Sequence, residues 1–171
     1  MADRGGSSTD VPNLRGYLQH HWAGAVAGTR LFHRGARTHS DPRVAAQVRD
    51  LAAEVDADRE SLREIMRSVD VEPSRVGALA ASAAETVGRL KPNGSLLRRT
   101  PLTDVVKVEA LRGAVNAKRA GWQVLQVIAE EERRLDHDLL TALEERADKQ
   151  LLTLQRLHLR ASPSRLLSSS A

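Results

Sequence analysis

The chain has 171 residues, of which 41% are hydrophobic and only 2% aromatic, and it carries 26 Lys plus Arg against 22 Asp plus Glu for a net charge of +4. This length suits one domain that can bury a core without metal or disulfide staples. The absence of cysteine excludes disulfides, thiolate nucleophiles and every Cys-based metal site, and no alternating Val and Ile run argues for a strand.

Residues 1–12 are polar and rich in Gly and Ser, which predicts a flexible segment with neither a secretory signal nor a membrane span, and hence a cytoplasmic protein. A first helix is expected from about Asn13, with Asn13 as its cap, to about Gly35. Its face is expected to read Leu14, Leu18, His21, Ala25, Gly28 and Phe32. The second helix carries the clearest pattern. Asp41 suits a cap, Pro42 suits the first helical position, and Val44, Val48, Leu51, Val55, Asp58, Leu62, Ile65 and Val69 repeat every 3.5 residues on average until Pro73 forces a change.

Ser74 to Leu90, with Val76, Leu79, Ala83, Val87 and Leu90, predicts a short crossover helix, closed by the turn signal Lys91-Pro92-Asn93-Gly94. Such a connection is long enough to travel the length of a bundle and set the next long helix parallel to its predecessor. A long helix from Leu102 carries Val105, Val106, Val108, Leu111, Val115, Trp122, Leu125 and Ile128, with Gly121 a point of weakness. A tight turn is expected at Glu130 to Arg134, and a last helix from about Asp136 with Leu140, Leu143, Ala147, Leu151, Leu154 and His158 or Leu157 inward. That helix is expected to fade after Arg160. The organisation is therefore a helical-bundle domain over 13–160, all-α, with a flexible C-terminal tail over 161–171.

Between Gly88 and Arg119, eight basic residues (Arg89, Lys91, Arg98, Arg99, Lys107, Arg112, Lys118 and Arg119) face only Asp104 and Glu109. A solvated helix face beside a basic loop explains this run. Without aromatic interleaving or a helix-turn-helix signature, nucleic acid is not the favoured partner. Broad stripes rich in small residues are compatible with a homodimer or another protein partner.

Polar groups interrupt the stripes at informative places. Glu54 and Asp58 lie one turn apart on the second helix, and their joint burial demands a cation or a proton. His21 interrupts the first helix and Glu109 the third. The last helix adds Glu144, Asp148 and Gln150. An imidazole with several carboxylates is an oxygen-rich set compatible with iron or manganese. A buried polar network that fixes helix register, with arginines balancing the acids, serves equally well.

Helix order, the long crossover and the segments Tyr17-Leu18-Gln19-His20-His21, Glu54-Val55-Asp56-Ala57-Asp58-Arg59-Glu60 and Val108-Glu109 resemble the ferritin-like superfamily over roughly Leu14 to Arg160. The resemblance implies a ferritin-like four-helix bundle with a short crossover helix between the second and third long helices. Di-iron members carry a glutamate on each of two helices and Glu-x-x-His on the other two, which implies oxidase, oxygenase or iron-storage chemistry. Here His21 stands where the first glutamate is expected, while Glu54 and Glu109 match two others. Ala57 replaces one histidine, and neither Glu144 with Ala147 nor Glu145 with Asp148 supplies the second motif. The reading is a non-enzymatic structural or interaction protein with a degenerate metal centre and no cofactor. The alternative is an Fe or Mn protein or oxidoreductase using His21, Glu54, Asp58 and Glu109, and a weak nucleic-acid-binding module is a third class.

Overall fold

The computed structural model describes residues 12–74 and 101–166, with side chains described through Arg160. The expected crossover helix lies outside the described residues, as do nearly all of the expected flexible N-terminal segment and the end of the C-terminal tail. The described residues form four helices and no strand: α1 (Pro12–Thr38), α2 (Pro42–Ser68), α3 (Pro101–Ala129) and α4 (His137–Leu166).

Each helix begins and ends where local chemistry allows. Asp41 caps α2, its carboxylate accepting the amides of Arg43 at 2.8 Å and Val44 at 3.4 Å, with Pro42 at the first position as expected. At the far end Asp70 adopts φ 58°, the left-handed conformation that Asp tolerates better than most residues. The amides of Val71 and Asp70 then fold back onto the carbonyls of Met66 and Arg67, a Schellman closure sealed by the buried Val71 and Met66. Asp136 caps α4 by accepting the amides of Asp138 and Leu139, both at 3.0 Å.

All eight expected stripe residues of α2 are buried. Three expectations for the other helices shift. Helix α1 starts at Pro12, so Asn13 lies inside it rather than at the cap, and the helix runs on to Thr38. Its buried residues are Leu14, Leu18, Trp22, Ala23, Thr29, Phe32, Gly35 and Ala36, whereas His21, Ala25 and Gly28 are only partly buried. After Leu18 the stripe takes a step of four to Trp22 instead of three to His21, because the indole offers far more apolar area to bury. Helix α4 does not fade at Arg160 but continues to Leu166, carrying Pro163 at the cost of one backbone hydrogen bond.

Helices α1 and α2 pack as one antiparallel hairpin and α3 and α4 as another, with α1 against α3 and α2 against α4. Every neighbouring pair is antiparallel. Ser40 and Thr38 meet Asp104 and Lys107 at one end, and Asp70 meets Arg134 at the other. It follows that α2 and α3 run parallel, on opposite corners of the bundle. The end of α2 and the start of α3 therefore lie at opposite ends of the bundle, about 40 Å apart. One core of Leu18, Phe32, Met66, Leu111, Leu125, Leu140, Leu143 and Leu154 fills the centre. Among the described residues the exposed large hydrophobic side chains are Leu102, Val124 and Val127 on α3 and Leu152 and Leu159 on α4, with none on α1 or α2. No helix among the described residues is long and apolar enough to cross a membrane.

Candidate functional site

The core stripe of α2 dictates the polar centre. Asp58 follows Val55 and precedes Leu62 on the buried face, so its carboxylate is carried inward and is only 1% exposed. A desolvated carboxylate is costly unless it is paired. Lys118 on α3 reaches across the bundle and donates from Nζ to Asp58 Oδ2, while Arg146 Nη2 on α4 lies 2.5 Å from Oδ1. Gln150, also buried on α4, orients the assembly. Its Oε1 accepts from Lys118 Nζ at 2.6 Å, and its Nε2 donates to Asp58 Oδ2 at 3.2 Å and to Glu54 Oε2 at 3.0 Å. Two carboxylates and two cations from three helices thus form a charge-neutral network. Burial, the largest influence, pulls the Lys118 ammonium below the ordinary lysine range, against the opposing attraction of Asp58.

Glu54 and Asp58 therefore meet, through Gln150, whereas His21 and Glu109 lie elsewhere. His21 is half-buried in the seam between α1 and α3, its ring centroid 4.5 Å from Tyr17 and 5.6 Å from His20. It lies so close to Gly121 that a Cβ there would stand 2.7 Å from the ring. Gly121 thus gives up helix propensity to admit an imidazole. Burial, with His20 adding to it, pushes the His21 ring below the usual histidine range. Glu109 is exposed and pairs with His158 Nε2 at 3.0 Å. Gly121 and Glu109 are separated by about 18 Å of helix rise, so the four residues do not form one cluster. Among the described residues no group of three or more His, Asp or Glu side chains is arranged to hold a metal. The donor set does not fit one either, since the space beside Asp58 already contains an ammonium and a guanidinium.

A second network fixes the opposite corner. Asp104, in the first turn of α3, is buried and accepts from Ser40 Oγ at 2.5 Å and from Lys107 Nζ at 3.1 Å; Lys107 also donates to the Thr38 carbonyl at 3.0 Å. Burial, the largest single influence, acts to raise its pKa, but the Ser40 and Lys107 hydrogen bonds and the nearby His39 and Lys107 charges together outweigh it, and the carboxyl lies below its ordinary value of 3.8. The native state thus holds this proton more weakly than the unfolded chain. The stabilisation is present above pH 3.8 and is lost as pH falls through the lowered native value. Asp104→Asn is expected to lower stability at pH 7 by on the order of 1 kcal/mol. In chemical denaturation at a series of pH values, the gap to wild type should close below about pH 4.

The residues missed in the sequence are Lys118 and Arg146 as core partners and Asp104 as a buried anchor. Lys118 carried a signal: it falls on the inward stripe between Val115 and Trp122, at steps of three and four. The shallow groove between α3 and α4, lined by Arg112, Gly113, Asn116 and Leu152 among others, contains one acid, Asp148, which lies 2.6 Å from Arg119 Nε. That arrangement offers no unpaired carboxylate for general acid or base work. No family model matches this chain, and no curated protein matches it.

Proposed function

We propose that this chain is a non-enzymatic, ferritin-like helical bundle that acts as a structural or interaction protein, with an ion-pair network at its polar centre in place of a metal site. The observation that supports this reading is Asp58, buried against Lys118 and Arg146. Antiparallel neighbours with α2 and α3 parallel suit a ferritin-like helix order, and the broken Glu-x-x-His motifs suit a centre without iron chemistry.

The test is elemental analysis of protein expressed in metal-replete medium, with melting curves recorded with and without excess Mn²⁺ or Fe²⁺. The expected result is substoichiometric metal and an unchanged melting temperature. Ligand at about a hundred times its dissociation constant would stabilise the fold by about 2.7 kcal/mol, a readily visible shift. Stoichiometric iron or manganese together with such a shift would contradict the reading.

A further inference from the structure

All the charged side chains of α3 turn towards the rest of the bundle. Asp104 and Lys107 meet Ser40 and the Thr38 carbonyl, Lys118 meets Asp58, Glu109 and Arg112 meet His158, and Arg119 meets Glu144 and Asp148. The outward side of the helix is left without a charge. From Val106, alternating steps of four and three reach Ala110, Gly113, Ala117, Ala120, Val124 and Val127, one stripe about 32 Å long. Val106 and Ala110 are half-buried, and the rest are exposed apart from their helix neighbours, Val127 at 66%. A helix that is apolar on its outward side as well as its core side is built to be covered. Helix α4 carries a second exposed stripe at heptad spacing: Asp138, Glu145, Lys149, Leu152, Arg156 and Leu159. Gly113 of the first stripe and Leu152 of the second line one groove of about 690 Å³, so both stripes lie on the same side of the α3–α4 hairpin.

Two properties of this side identify its occupant. The α3 stripe reads nearly the same from either end, with small residues (Gly113, Ala117 and Ala120) in the middle and valines at both ends. Turned end for end on itself, it sets small residues against small ones, where two backbones can approach closely, and valines beside valines. The α4 stripe is polarised: Asp138 and Glu145 lie towards the α3–α4 connection, where Glu130 and Glu131 are also exposed, and Lys149 and Arg156 follow towards the other end. The helix dipole does not account for this order, because it fades within one turn. Glu145 lies more than two turns beyond His137, and Arg156 more than two turns before Leu166. We propose that this side of the α3–α4 hairpin binds a second copy of the chain, the two hairpins antiparallel about a two-fold axis beside Ala117. Such an axis makes each contact self-complementary and brings the acidic end of one copy against the basic end of the other. Two helices side by side are about 20 Å wide, so the face offers on the order of 600 Å² in plan, near the roughly 800 Å² that each partner gives to a standard interface. After α2 the described chain is tied to α1, the helix diagonal to α4. The Ser74 amide donates to Gln19 Oε1 at 3.0 Å, and Gln19 Nε2 donates to the Glu72 carbonyl at 2.7 Å. Residues 75–100 therefore start on the far side of the bundle from the α4 stripe.

The interface lies away from Asp58, so its test is independent of whether the polar centre takes a metal. Sedimentation velocity of the full chain is followed from about 1 to 100 µM, with melting curves at both extremes. A dimer of twice the 18.7 kDa chain mass is expected at the upper end, with a melting temperature that rises with concentration. Ala117→Glu sets two carboxylates against each other at the axis. It should raise the dissociation constant by about a hundredfold or more while melting like the dilute wild type. Val127→Lys, at a position already exposed in the single chain, should raise it by about tenfold. Arg156→Glu and Glu145→Arg should each weaken the dimer by about tenfold, and the two together should restore it to within about threefold. A dimer strengthened by Arg156→Glu would mean that like ends meet, and would overturn the proposal. So would a dimer that survives both Ala117→Glu and Val127→Lys unchanged, or a wild-type chain that stays monomeric at about 100 µM. In such a monomer, a lowered melting temperature for Ala117→Glu would assign the stripe to residues 75–100 instead.

Discussion

Asp58→Ala is expected to destabilise the protein by about 3–5 kcal/mol, the range for breaking a buried ion pair by removing one partner. The cost comes less from the lost attraction than from what is left behind. Lys118, whose ammonium burial already disfavours, would face Arg146 with no anion directly between them. Glu54 is exposed and reaches the centre only through Gln150, so it cannot take over the role without moving inward. For a chain of this size the loss corresponds to a fall in melting temperature of about 6–20 °C, measurable by circular dichroism. Asp58→Asn keeps the volume but removes the charge, so it should destabilise nearly as much. A loss below about 1 kcal/mol would mean that the carboxylate contributes little to the fold.

Phe32→Ala is the second large effect, expected at about 3–5 kcal/mol in denaturant unfolding. Phe32 is the single phenylalanine in the chain and is 1% exposed, packed in the core between the two hairpins. Its loss removes both transfer free energy and the packing of every side chain around the ring. Phe32→Leu, which preserves much of the volume, should cost clearly less. Equal costs for the two substitutions would show that shape at this position matters less than its complete burial implies.

How far the sequence discloses this molecule varies by element. The α2 stripe was legible to the residue, because a strict heptad spacing bounded by Asp41-Pro42 and Pro73 leaves one solution. The α1 stripe was not, since His21 and Trp22 are adjacent and either continues a helical face. Only the position of α3, with Gly121 cleared for the imidazole, decides between them. Asp58 was legible as an intruder in an apolar face, and so was its need for a compensating charge. The identity of that charge was not. It comes from Lys118 and Arg146, 60 and 88 residues away in sequence, and pairing over such distances depends on helix register that no local pattern encodes. The basic run before Arg119 gave the opposite lesson: local charge density reads as surface, yet two of its four described members, Lys107 and Lys118, pair with the buried carboxylates of Asp104 and Asp58.

The central claim is that the cations at the bundle centre belong to the protein itself and act on Asp58 as a unit. A double-mutant cycle of Asp58→Leu and Lys118→Met, read by denaturant unfolding, tests it most directly. Each single substitution should be strongly destabilising. The double variant, with Arg146 able to reach solvent along its partly exposed side chain, should recover much of the loss, giving a coupling energy of about 2 kcal/mol or more. Additive effects within about 0.5 kcal/mol would contradict the account and leave the polar centre without its proposed basis.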